Sequence, residues 1–204
     1  MDNGLIVSIS GPSGVGKGTV IRKLRQMMPE VGNSISVTSR APRGSEQDGV
    51  EYYFRTKEQF EQLIAEGEII EYDEYVGNYY GTPLTPLLRM SGSGQDVLLD
   101  LTVPGSLALK EKFEETVTIF LLPPSLKELR SRLEGRGTED PEQIDKRMAS
   151  AKSEIENSPK FDYVVTNVTV EQAAQDIANI MKTELNRYVR SKELVERLLA
   201  EQDK

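Results

Sequence analysis

Short apolar runs rich in β-branched residues recur along the chain and alternate with segments whose apolar residues follow helical spacing. The runs lie at residues 5–9, 96–100, 116–122 and 163–165. Runs of this kind are typical of strands that are covered on both faces, as in a parallel sheet. The alternation of strand and helix therefore predicts an α/β fold with a doubly wound parallel-sheet core.

Four predicted helices begin at a residue that can cap them. Thr56, Ser125, Asp140 and Thr169 carry side-chain oxygens that accept a hydrogen bond from an amide of the first helical turn. Three of them precede a side chain that can close a capping box, in the pairs Thr56 with Gln59, Ser125 with Glu128 and Thr169 with Gln172. Residues 170–204 also follow helical spacing, whereas residues 91–94 predict a turn.

The pattern changes between residues 34 and 90. Short strands at 34–39, 52–54 and 69–76 surround one helix near 57–66, which predicts a small inserted α+β lobe. Glycines within 134–138 lie between two helical patterns and predict a mobile flap. We therefore expect a single domain over 1–204, with a core at 1–33, 83–126 and 158–190, an inserted lobe at 34–82, a helical lid at 127–157 and a tail at 190–204.

Composition narrows the chemistry that this chain can perform. Its 204 residues are 37% hydrophobic, enough for one domain with a substantial core. The chain has no histidine and no cysteine, which excludes Ser-His-Asp and Cys-His catalysis, thiolate zinc sites and disulfides. Catalysis would have to use Lys, Arg, Asp, Glu, hydroxyl groups and a hard cation. These groups are the ones that phosphoryl transfer requires.

Charge and hydropathy limit the kinds of partner that this protein is expected to bind. A net charge of −8 argues against broad binding to nucleic acid or to anionic membranes, because such binding needs a basic face. An isolated nucleotide stays compatible with this charge. The sequence has no apolar run of about 18 residues, and its first residues lack the basic start of a secretory signal. We expect a cytoplasmic protein, and no pattern in the sequence specifies an oligomeric state.

A glycine-rich loop follows the first predicted strand and leads into a helix. Glycine permits the dihedrals that turn successive N–H groups inward, and it lets polyphosphate oxygens approach the main chain. A lysine at the helix start can reach the outer phosphates, where the helix dipole also favours negative charge. The loop therefore predicts a P-loop for nucleotide phosphates, formed by Gly11, Pro12, Ser13, Gly14, Val15, Gly16, Lys17, Gly18 and Thr19.

The loop departs from the strict P-loop pattern at one position. That pattern has Ser or Thr immediately after the lysine, whereas Gly18 precedes Thr19 here. Thr19 could contact Mg²⁺, or it could bond a phosphate while nucleotide oxygens and water hold most of the metal. Asp100, at the carboxyl end of a predicted strand, could orient water or Mg²⁺.

A second group of residues indicates recognition of a monophosphate. Arg40 and Arg43 are three residues apart, and Pro42 fixes the bend between them. The two planar guanidinium groups can therefore face one phosphate, and tyrosine hydroxyls can add neutral donors. The candidate residues of this group are Ser36, Arg40, Arg43, Tyr52, Glu71, Tyr80 and Thr82.

From about residue 5 to about residue 185, the sequence resembles the guanylate kinases. The resemblance joins several segments in one order: the loop at 10–19, Ser-Arg-Ala-Pro-Arg at 39–43, Ile-Glu-Tyr at 70–72, residues 77–81, Pro-Pro-Ser at 123–125 and Leu-Glu-Gly-Arg-Gly-Thr at 133–138. It implies direct in-line transfer of a phosphoryl group from ATP to GMP, and to dGMP, with Mg²⁺.

The resemblance also implies roles for individual residues. Those that match the family's contacts to the GMP phosphate are Arg40, Arg43, Tyr52 and Tyr80. Those that match its contacts to the guanine edge are Ser36 and Glu71. The resemblance places Arg132, Arg136 and Arg147 on the lid, where they would close on ATP and the transferred group, and it places Asn167 near the adenine pocket.

The chemistry of a carboxylate supports Glu71 as the residue that reads the base. A carboxylate accepts two hydrogen bonds from adjacent N–H groups of guanine, whereas the matching edge of adenine presents an acceptor nitrogen. One neighbouring segment departs from the family, which usually has Asp-x-Asp-x-Gln-Gly where this chain has Asp-Leu-Thr-Val-Pro-Gly at 100–105. Asp100 matches the first aspartate of this segment, and we expect it and Thr102 among the GMP-binding residues. Thr102 replaces a guanine-contacting aspartate and brings no charge, so we expect weaker guanine affinity or selectivity.

Two alternative functions stay open at this point. A guanylate-kinase-like module could bind a phosphorylated or acidic partner without catalysis, although the retained Lys17 favours an enzyme. Thr102 instead raises the alternative of a monophosphate kinase with a changed base preference. The lid arginines could also simply pair with neighbouring acids. The expected ligands are ATP, GMP and Mg²⁺, with no nucleic-acid or membrane partner.

Overall fold

The computed structural model describes residues 3–75, 77–135 and 140–201. The strands of the described residues are β1 Ile6–Ser10, β2 Gly32–Asn33, β3 Val37–Thr38, β4 Tyr53–Phe54, β5 Ile69–Tyr75, β6 Asn78–Pro83, β7 Val97–Asp100, β8 Val117–Leu122 and β9 Tyr163–Thr166. The helices are α1 Lys17–Met27, α2 Lys57–Ala65, α3 Leu84–Gly92, α4 Val103–Lys112, α5 Leu126–Glu134, α6 Pro141–Ile155, α7 Val170–Glu184 and α8 Tyr188–Ala200, with a short 3-10 turn at Ser158–Lys160.

The core is a five-stranded sheet in the order β2-β7-β1-β8-β9, and every pairing in it is parallel. The four predicted apolar runs form β7, β1, β8 and β9, so the predicted α/β fold with a parallel-sheet core is confirmed. The edge strand β2 was not predicted. Its two residues, Gly32 and Asn33, have neither the apolar nor the β-branched character that marks a strand.

Alternate residues of β1 face opposite sides of the sheet. Val7 and Ile9 join the cluster that α1 and α7 complete, whereas Ser10 faces α4. The hydroxyl of Ser10 lies 2.7 Å from the hydroxyl of Ser106, so this buried polar pair is satisfied across the strand-helix contact. The two faces are therefore covered by different helices, as a doubly wound sheet requires.

The chain leaves β1 and β7 toward opposite faces. The helix after β1, α1, packs with α7, while the helix after β7, α4, packs with α3 and β8. Adjacent parallel strands whose crossovers diverge in this way leave a crevice at their carboxyl ends, and ligands of α/β proteins bind there. The predicted P-loop follows β1, and Asp100 ends β7, so both lie at this crevice.

A second sheet of four strands lies within the predicted lobe, in the order β4-β3-β6-β5. Strands β5 and β6 form an antiparallel hairpin, and α2 covers the sheet through Phe60, which is fully buried beside Val37 and Ile69. Strand β6 was not predicted, because its sequence Asn-Tyr-Tyr-Gly-Thr-Pro contains a glycine and ends in a proline. The lobe and lid boundaries stay predictions.

All four predicted capping residues act as caps. The side chains of Thr56, Ser125, Asp140 and Thr169 each accept a hydrogen bond from the amide three residues later. Thr56 also closes a capping box, since its own amide donates to the Gln59 side chain at 2.9 Å. Local sequence therefore determines where these helices begin.

Two other predicted features need a closer description. The predicted turn at 91–94 begins later, because Ser91 is buried within α3 and its hydroxyl donates to the Gly4 carbonyl at 3.0 Å. The predicted flap at 134–138 lies mostly outside the described residues, which omit 136–139. Within the described ranges, no helix is both long and apolar enough to cross a membrane.

The two carboxyl-terminal helices differ in how they pack. Helix α7 buries Ala173, Ile177 and Met181 against the sheet. Helix α8 buries no residue, although Arg190 donates a hydrogen bond to the Asn3 carbonyl at 2.7 Å. The helical prediction for residues 170–204 is thus confirmed over α7 and α8.

Asp162 immediately precedes β9 and contacts one residue of β8 and one of α4, so we expect it to stabilise the fold. Its carboxylate accepts hydrogen bonds from the Thr118 amide at 2.8 Å and hydroxyl at 2.9 Å, and from Lys110 Nζ at 3.0 Å. Burial raises the pKa of Asp162, but the hydrogen bonds from Thr118 and Lys110 outweigh it, so the net pKa is lowered. We expect Asp162→Asn to destabilise the protein at about pH 7 by about 1–3 kcal/mol, measured by thermal or urea unfolding.

The pH dependence of that loss has a definite sign. A carboxyl group with a lowered folded pKa stabilises the protein above its unfolded pKa, and this contribution disappears as the pH falls through the folded pKa. The difference in the free energy of unfolding between wild type and Asp162→Asn should therefore become smaller as the pH falls. Asp145→Asn, which removes an ion pair with Arg130 at an exposed site, should change stability by less than about 1 kcal/mol. Equal losses of stability in the two variants would contradict the stabilising role given to Asp162.

Candidate functional site

The loop between β1 and α1 has a backbone that needs glycine, as Gly14 and Gly16 show. Gly14 and Gly16 have φ of 90° and 97°, in the left-handed region. A Cβ at Gly14 would lie 2.6 Å from Leu133 Cδ2, and one at Gly16 would lie 2.7 Å from Asn167 Nδ2. A larger residue at either position would have a strained backbone, and its Cβ would have to displace one of these neighbouring side chains.

A cavity of about 480 Å³ opens above this loop. Gly16 caps α1 without a side chain, so the cap leaves the first-turn amides of the helix free of any side-chain partner. These amides and the positive end of the α1 dipole form an anion-binding surface. The predicted loop residues all line the cavity: Gly11, Pro12, Ser13, Gly14, Val15, Gly16, Lys17, Gly18 and Thr19.

Lys17 reaches from α1 to the carboxyl end of β7. Its Nζ lies 2.8 Å from Asp100 Oδ1 and donates to the Leu101 carbonyl at 2.6 Å. Lys17 is mostly covered, whereas half of the Asp100 side chain is exposed. The two oxygen contacts hold the ammonium at the crevice between β1 and β7, beside the loop.

Thr19 is exposed on the rim of the same cavity, and its hydroxyl accepts a hydrogen bond from Arg22 at 3.2 Å. Asp100 offers a second hard oxygen at the same edge of the sheet. Across 3–75, 77–135 and 140–201, no three acidic side chains converge to form a metal site. The donors present suit a hard cation that keeps most of its ligands from water and nucleotide.

Asn167 and Arg132 brace the outer side of the loop. Asn167 is buried and donates from Nδ2 to the Val15 carbonyl at 2.8 Å. Arg132, on α5, donates to the same carbonyl at 3.1 Å, to the Asn167 carbonyl at 3.2 Å and to Glu128. Among the described atoms, Asn167 Oδ1 is buried without a hydrogen-bond partner.

The other two predicted lid arginines are Arg136 and Arg147. Arg147 is half-buried on α6, and Arg136 lies outside the described residues. One acidic residue of α6 was not predicted as part of the site. Glu154 lines the cavity and accepts a hydrogen bond from the Ser13 amide at 3.3 Å, and burial raises the pKa of its carboxyl group. Its sequence context is an ordinary helix, which gives no signal of this role.

In the lobe, Arg40 is buried among aromatic rings. Its Cζ lies 5.5 Å from the centre of the Tyr52 ring and 5.8 Å from that of Phe54. The Tyr52 and Tyr80 rings meet edge to face at 5.9 Å. Burial raises the pKa of the Tyr52 phenol, with a smaller contribution from the Asp100 charge. The predicted residues Arg40, Tyr52 and Tyr80 thus form one cluster.

Arg43 and Ser36 border this cluster. Arg43 is exposed, and Ser36 is half-buried at the start of β3, with its carbonyl accepting from the Tyr53 amide at 2.9 Å. Sequence reasoning missed Glu46, whose carboxylate accepts hydrogen bonds from Arg40 Nη2 at 3.0 Å and from the Arg43 amide at 2.8 Å. The signal was an acid three residues after Arg43.

Glu71, on β5, faces the start of α4. The Thr82 hydroxyl donates to Glu71 Oε1 at 2.6 Å, and a Cβ at Gly105 would overlap the Glu71 carboxylate. Burial raises the pKa of Glu71, partly offset by the hydrogen bond from Thr82. A half-buried carboxylate at a helix amino terminus, with capacity to accept further hydrogen bonds, suits a ligand that presents N–H donors.

Thr102 lies at the start of α4, next to the Glu71 carboxylate. Its side chain is the N-cap of α4 and accepts from the Gly105 amide at 3.2 Å. Thr102 also lines the cavity above the P-loop. The amino-terminal turn of α4 therefore borders both the loop and the Glu71 carboxylate.

The described residues thus form two groups with different chemistry. One group surrounds the loop and contains main-chain amides, Lys17 and Asp100. The other belongs to the lobe and contains the Arg40 cluster and the hydrogen-bonded pair of Glu71 and Thr82. Anion-binding groups and a carboxylate that can accept hydrogen bonds are therefore both present.

Comparisons with known proteins agree with this arrangement. A family model described as "Guanylate kinase" matches residues 3–184. The chain is 51% identical to a guanylate kinase of Halalkalibacterium halodurans over 183 residues, which cover 90% of each chain. It is 49% identical to a guanylate kinase of Listeria innocua, again over 90% of each chain.

A solved structure gives the same result. The crystal structure of guanylate kinase from Anaplasma phagocytophilum superposes with a TM-score of 0.75 at 35% sequence identity, covering 96% of this chain and 95% of the other. Sequence and structure agree over nearly the full length. The chain belongs to the guanylate kinase family.

Proposed function

We propose that this protein transfers the γ-phosphoryl group of ATP to GMP, and to dGMP, which yields ADP and the diphosphate, with Mg²⁺ bound alongside ATP. The observation that carries the proposal is the pairing of a glycine loop and Lys17 with a lobe that holds a buried arginine and a half-buried carboxylate. The nucleotide that donates the phosphoryl group needs the first kind of site, and the nucleotide that accepts it needs the second. We further propose a cytoplasmic location.

The loop amides and Lys17 would hold the donor phosphates. Lys17 already lies at the crevice, 2.8 Å from Asp100, and it can exchange this contact for a phosphate oxygen without crossing the site. Direct transfer needs no covalent intermediate, so positioning and charge neutralisation supply the acceleration. When bound, Mg²⁺ would neutralise charge on the transferred group, and Thr19 and Asp100 are the residues that would contact it or its waters.

The lobe would hold the acceptor. Arg40, Arg43, Tyr52 and Tyr80 would bind the GMP phosphate, and Glu71 with Ser36 and Thr82 would bind guanine. Because the Glu71 carboxylate is half-buried, a base that leaves it without N–H donors loses about 1–3 kcal/mol of binding. Guanine supplies two adjacent N–H donors, and adenine does not.

The lid arginines receive more specific roles in this proposal. Arg132 braces the loop through the Val15 and Asn167 carbonyls, so it would act mainly on the adenine side. Asn167 Oδ1 would accept from a donor on the base of ATP. Arg136 and Arg147 would neutralise charge on the transferred phosphoryl group.

The first test concerns Lys17. Lys17→Met should lower kcat/KM for ATP and GMP by about 10²–10³-fold, because a positively charged donor to the transferred group is lost. The midpoint of thermal unfolding should change little, since the hydrogen-bonding partners of the lysine are a half-exposed carboxylate and one carbonyl in the part of the chain that the structure describes. Lys182→Met, an exposed change on α7, is the control. Near-normal turnover of folded Lys17→Met would contradict the proposal.

The second test concerns Glu71 and separates stability from function. A carboxyl group with a raised folded pKa destabilises the protein once the pH exceeds its unfolded pKa, and this cost is complete above the folded pKa. Glu71→Gln should therefore unfold at a higher temperature than wild type at about pH 7, with a smaller difference near about pH 4. The same variant should bind GMP more weakly.

Glu74→Gln is the matched control, because Glu74 lies on the same strand and is exposed. It should change neither the unfolding midpoint nor the GMP affinity appreciably. A Glu71→Gln variant that keeps wild-type affinity for GMP would contradict the role of Glu71 as the base reader.

Thr102 supports a second candidate, a monophosphate kinase with relaxed base choice. Its hydroxyl oxygen caps α4 and brings no charge to the base site. The test compares GMP, dGMP, IMP, AMP and UMP as acceptors with ATP and Mg²⁺. Preference for GMP and dGMP supports the proposal, preference for another base favours this candidate, and activity on none favours a binding module.

The variant Thr102→Asp refines the comparison of acceptors. Aspartate caps helices as well as threonine does, so the fold should be kept. The added carboxylate should increase the ratio of kcat/KM for GMP to that for AMP. An unchanged ratio would show that Thr102 does not limit base selectivity.

A further inference from the structure

Glu46 makes two kinds of contact with the arginine pair. Its two carboxylate oxygens each lie 3.0 Å from a different terminal nitrogen of Arg40, Oε1 from Nη2 and Oε2 from Nη1. Oε2 also accepts the Arg43 amide at 2.8 Å. One carboxylate thus binds the side chain of the first arginine and the backbone of the second.

The backbone around Arg43 is closed by the same residue. The Glu46 amide donates to the Arg43 carbonyl at 3.0 Å, while the Glu46 side chain accepts from the Arg43 amide. Gly44, inside this turn, has a φ of 55°, in the left-handed region. The turn therefore returns the Glu46 carboxylate to a fixed place beside Arg40.

The ion pair between Arg40 and Glu46 is less exposed to solvent than an ordinary surface ion pair. The side chains of Arg40 and Glu46 are 9% and 24% exposed. Hydrogen bonding to Arg40 lowers the pKa of Glu46, and hydrogen bonding to Glu46 raises the pKa of Arg40. Both groups are therefore charged across the neutral range, and the bidentate geometry fixes the plane of the guanidinium.

The contact leaves one edge of Arg40 available. Nη1 donates to the Ala41 carbonyl at 2.7 Å and faces Glu46, and Nη2 donates one hydrogen to Glu46. The remaining donors of the guanidinium are Nε–H and the second hydrogen of Nη2, which lie side by side on the other edge. Tyr80 also interacts with this guanidinium, since hydrogen bonding to Glu46 and, to a smaller extent, to Tyr80 raises the pKa of Arg40. Two parallel donors of this kind match two oxygens of one phosphate.

We propose that Glu46 is a positioning residue for the acceptor phosphate: it holds Arg40 by one edge so that the other edge faces the phosphate, and it fixes the backbone that carries Arg43. This inference rests on the proposed function, in which both arginines bind the GMP phosphate. Binding then orders fewer side-chain torsions, because Glu46 has already ordered Arg40 in the free protein.

The alternative role for Glu46 is to block the phosphate site, and that role predicts the opposite change in GMP affinity. A carboxylate that occupied the phosphate position would compete with GMP, and its neutralisation would strengthen binding. The structure favours positioning, because Glu46 engages the Nη1–Nη2 edge and leaves the Nε–Nη2 edge. The sign of the change in affinity therefore separates the two roles.

The experiment measures binding of GMP and of guanosine by calorimetry, without ATP. Guanosine keeps the base and lacks the phosphate, so it reports on the base site alone. Glu46→Gln should weaken GMP binding by about 10-fold, as expected for a lost charge-assisted contact, and should leave guanosine binding unchanged within about 2-fold. In turnover assays the same variant should raise KM for GMP more than it lowers kcat.

A double-mutant cycle tests whether Glu46 acts through Arg40. In the Arg40→Met background, Glu46→Gln should weaken GMP binding much less than in wild type, because the side chain that it positions is absent and the glutamine carbonyl oxygen can still accept the Arg43 amide. A merely structural role would weaken GMP and guanosine alike and would persist in that background. Tighter GMP binding by Glu46→Gln, or equal losses in both backgrounds, would overturn the inference.

Glu51→Gln is the matched control. Glu51 lies in the same loop and accepts the Gln47 amide at 2.8 Å, a contact that involves neither arginine. It should bind GMP as wild type does. If Arg40→Met leaves GMP affinity unchanged, the proposed phosphate site is wrong; if it weakens GMP binding while Glu46→Gln does not, only the role of Glu46 is wrong.

Discussion

The divergence of two crossovers, at β1 and at β7, determines where the site of this protein lies. Helix α1 leaves β1 toward one face of the sheet and α4 leaves β7 toward the other, so the carboxyl ends of these strands border an open crevice. Lys17 and Asp100 meet in that crevice because each follows one of the two strands. The same divergence places the amino terminus of α4 against Glu71 of the lobe.

Glycine geometry and helix capping then convert this crevice into two sites. At α1, a glycine cap without a side chain leaves amides available for anions. At α4, the Thr102 side chain occupies the cap, so the helix presents a satisfied turn to the Glu71 carboxylate. Two helix starts at one sheet edge therefore have different chemistry because their capping residues differ.

Much of this arrangement could be predicted from the sequence, because its signals are local. Apolar runs predicted the four longer core strands, caps predicted four helix starts, and the spacing of glycines predicted the loop. The sequence did not reveal β6, whose residues pair only through the lobe sheet, nor Glu46 and Glu154, whose partners become neighbours only after folding. Arg132 was expected to face the phosphates, and its contacts to two loop carbonyls depend on how α5 packs.

The shallow docking of α8 has a consequence for how the fold opens. Because this helix buries no side chain and is tied to the body by the Arg190 contact to Asn3, it can detach without disturbing the parallel sheet. Local openings of this kind require far less free energy than global unfolding. Its amides should exchange with solvent deuterium well before those of the central strand, so the terminal helix forms a separate cooperative unit of low stability.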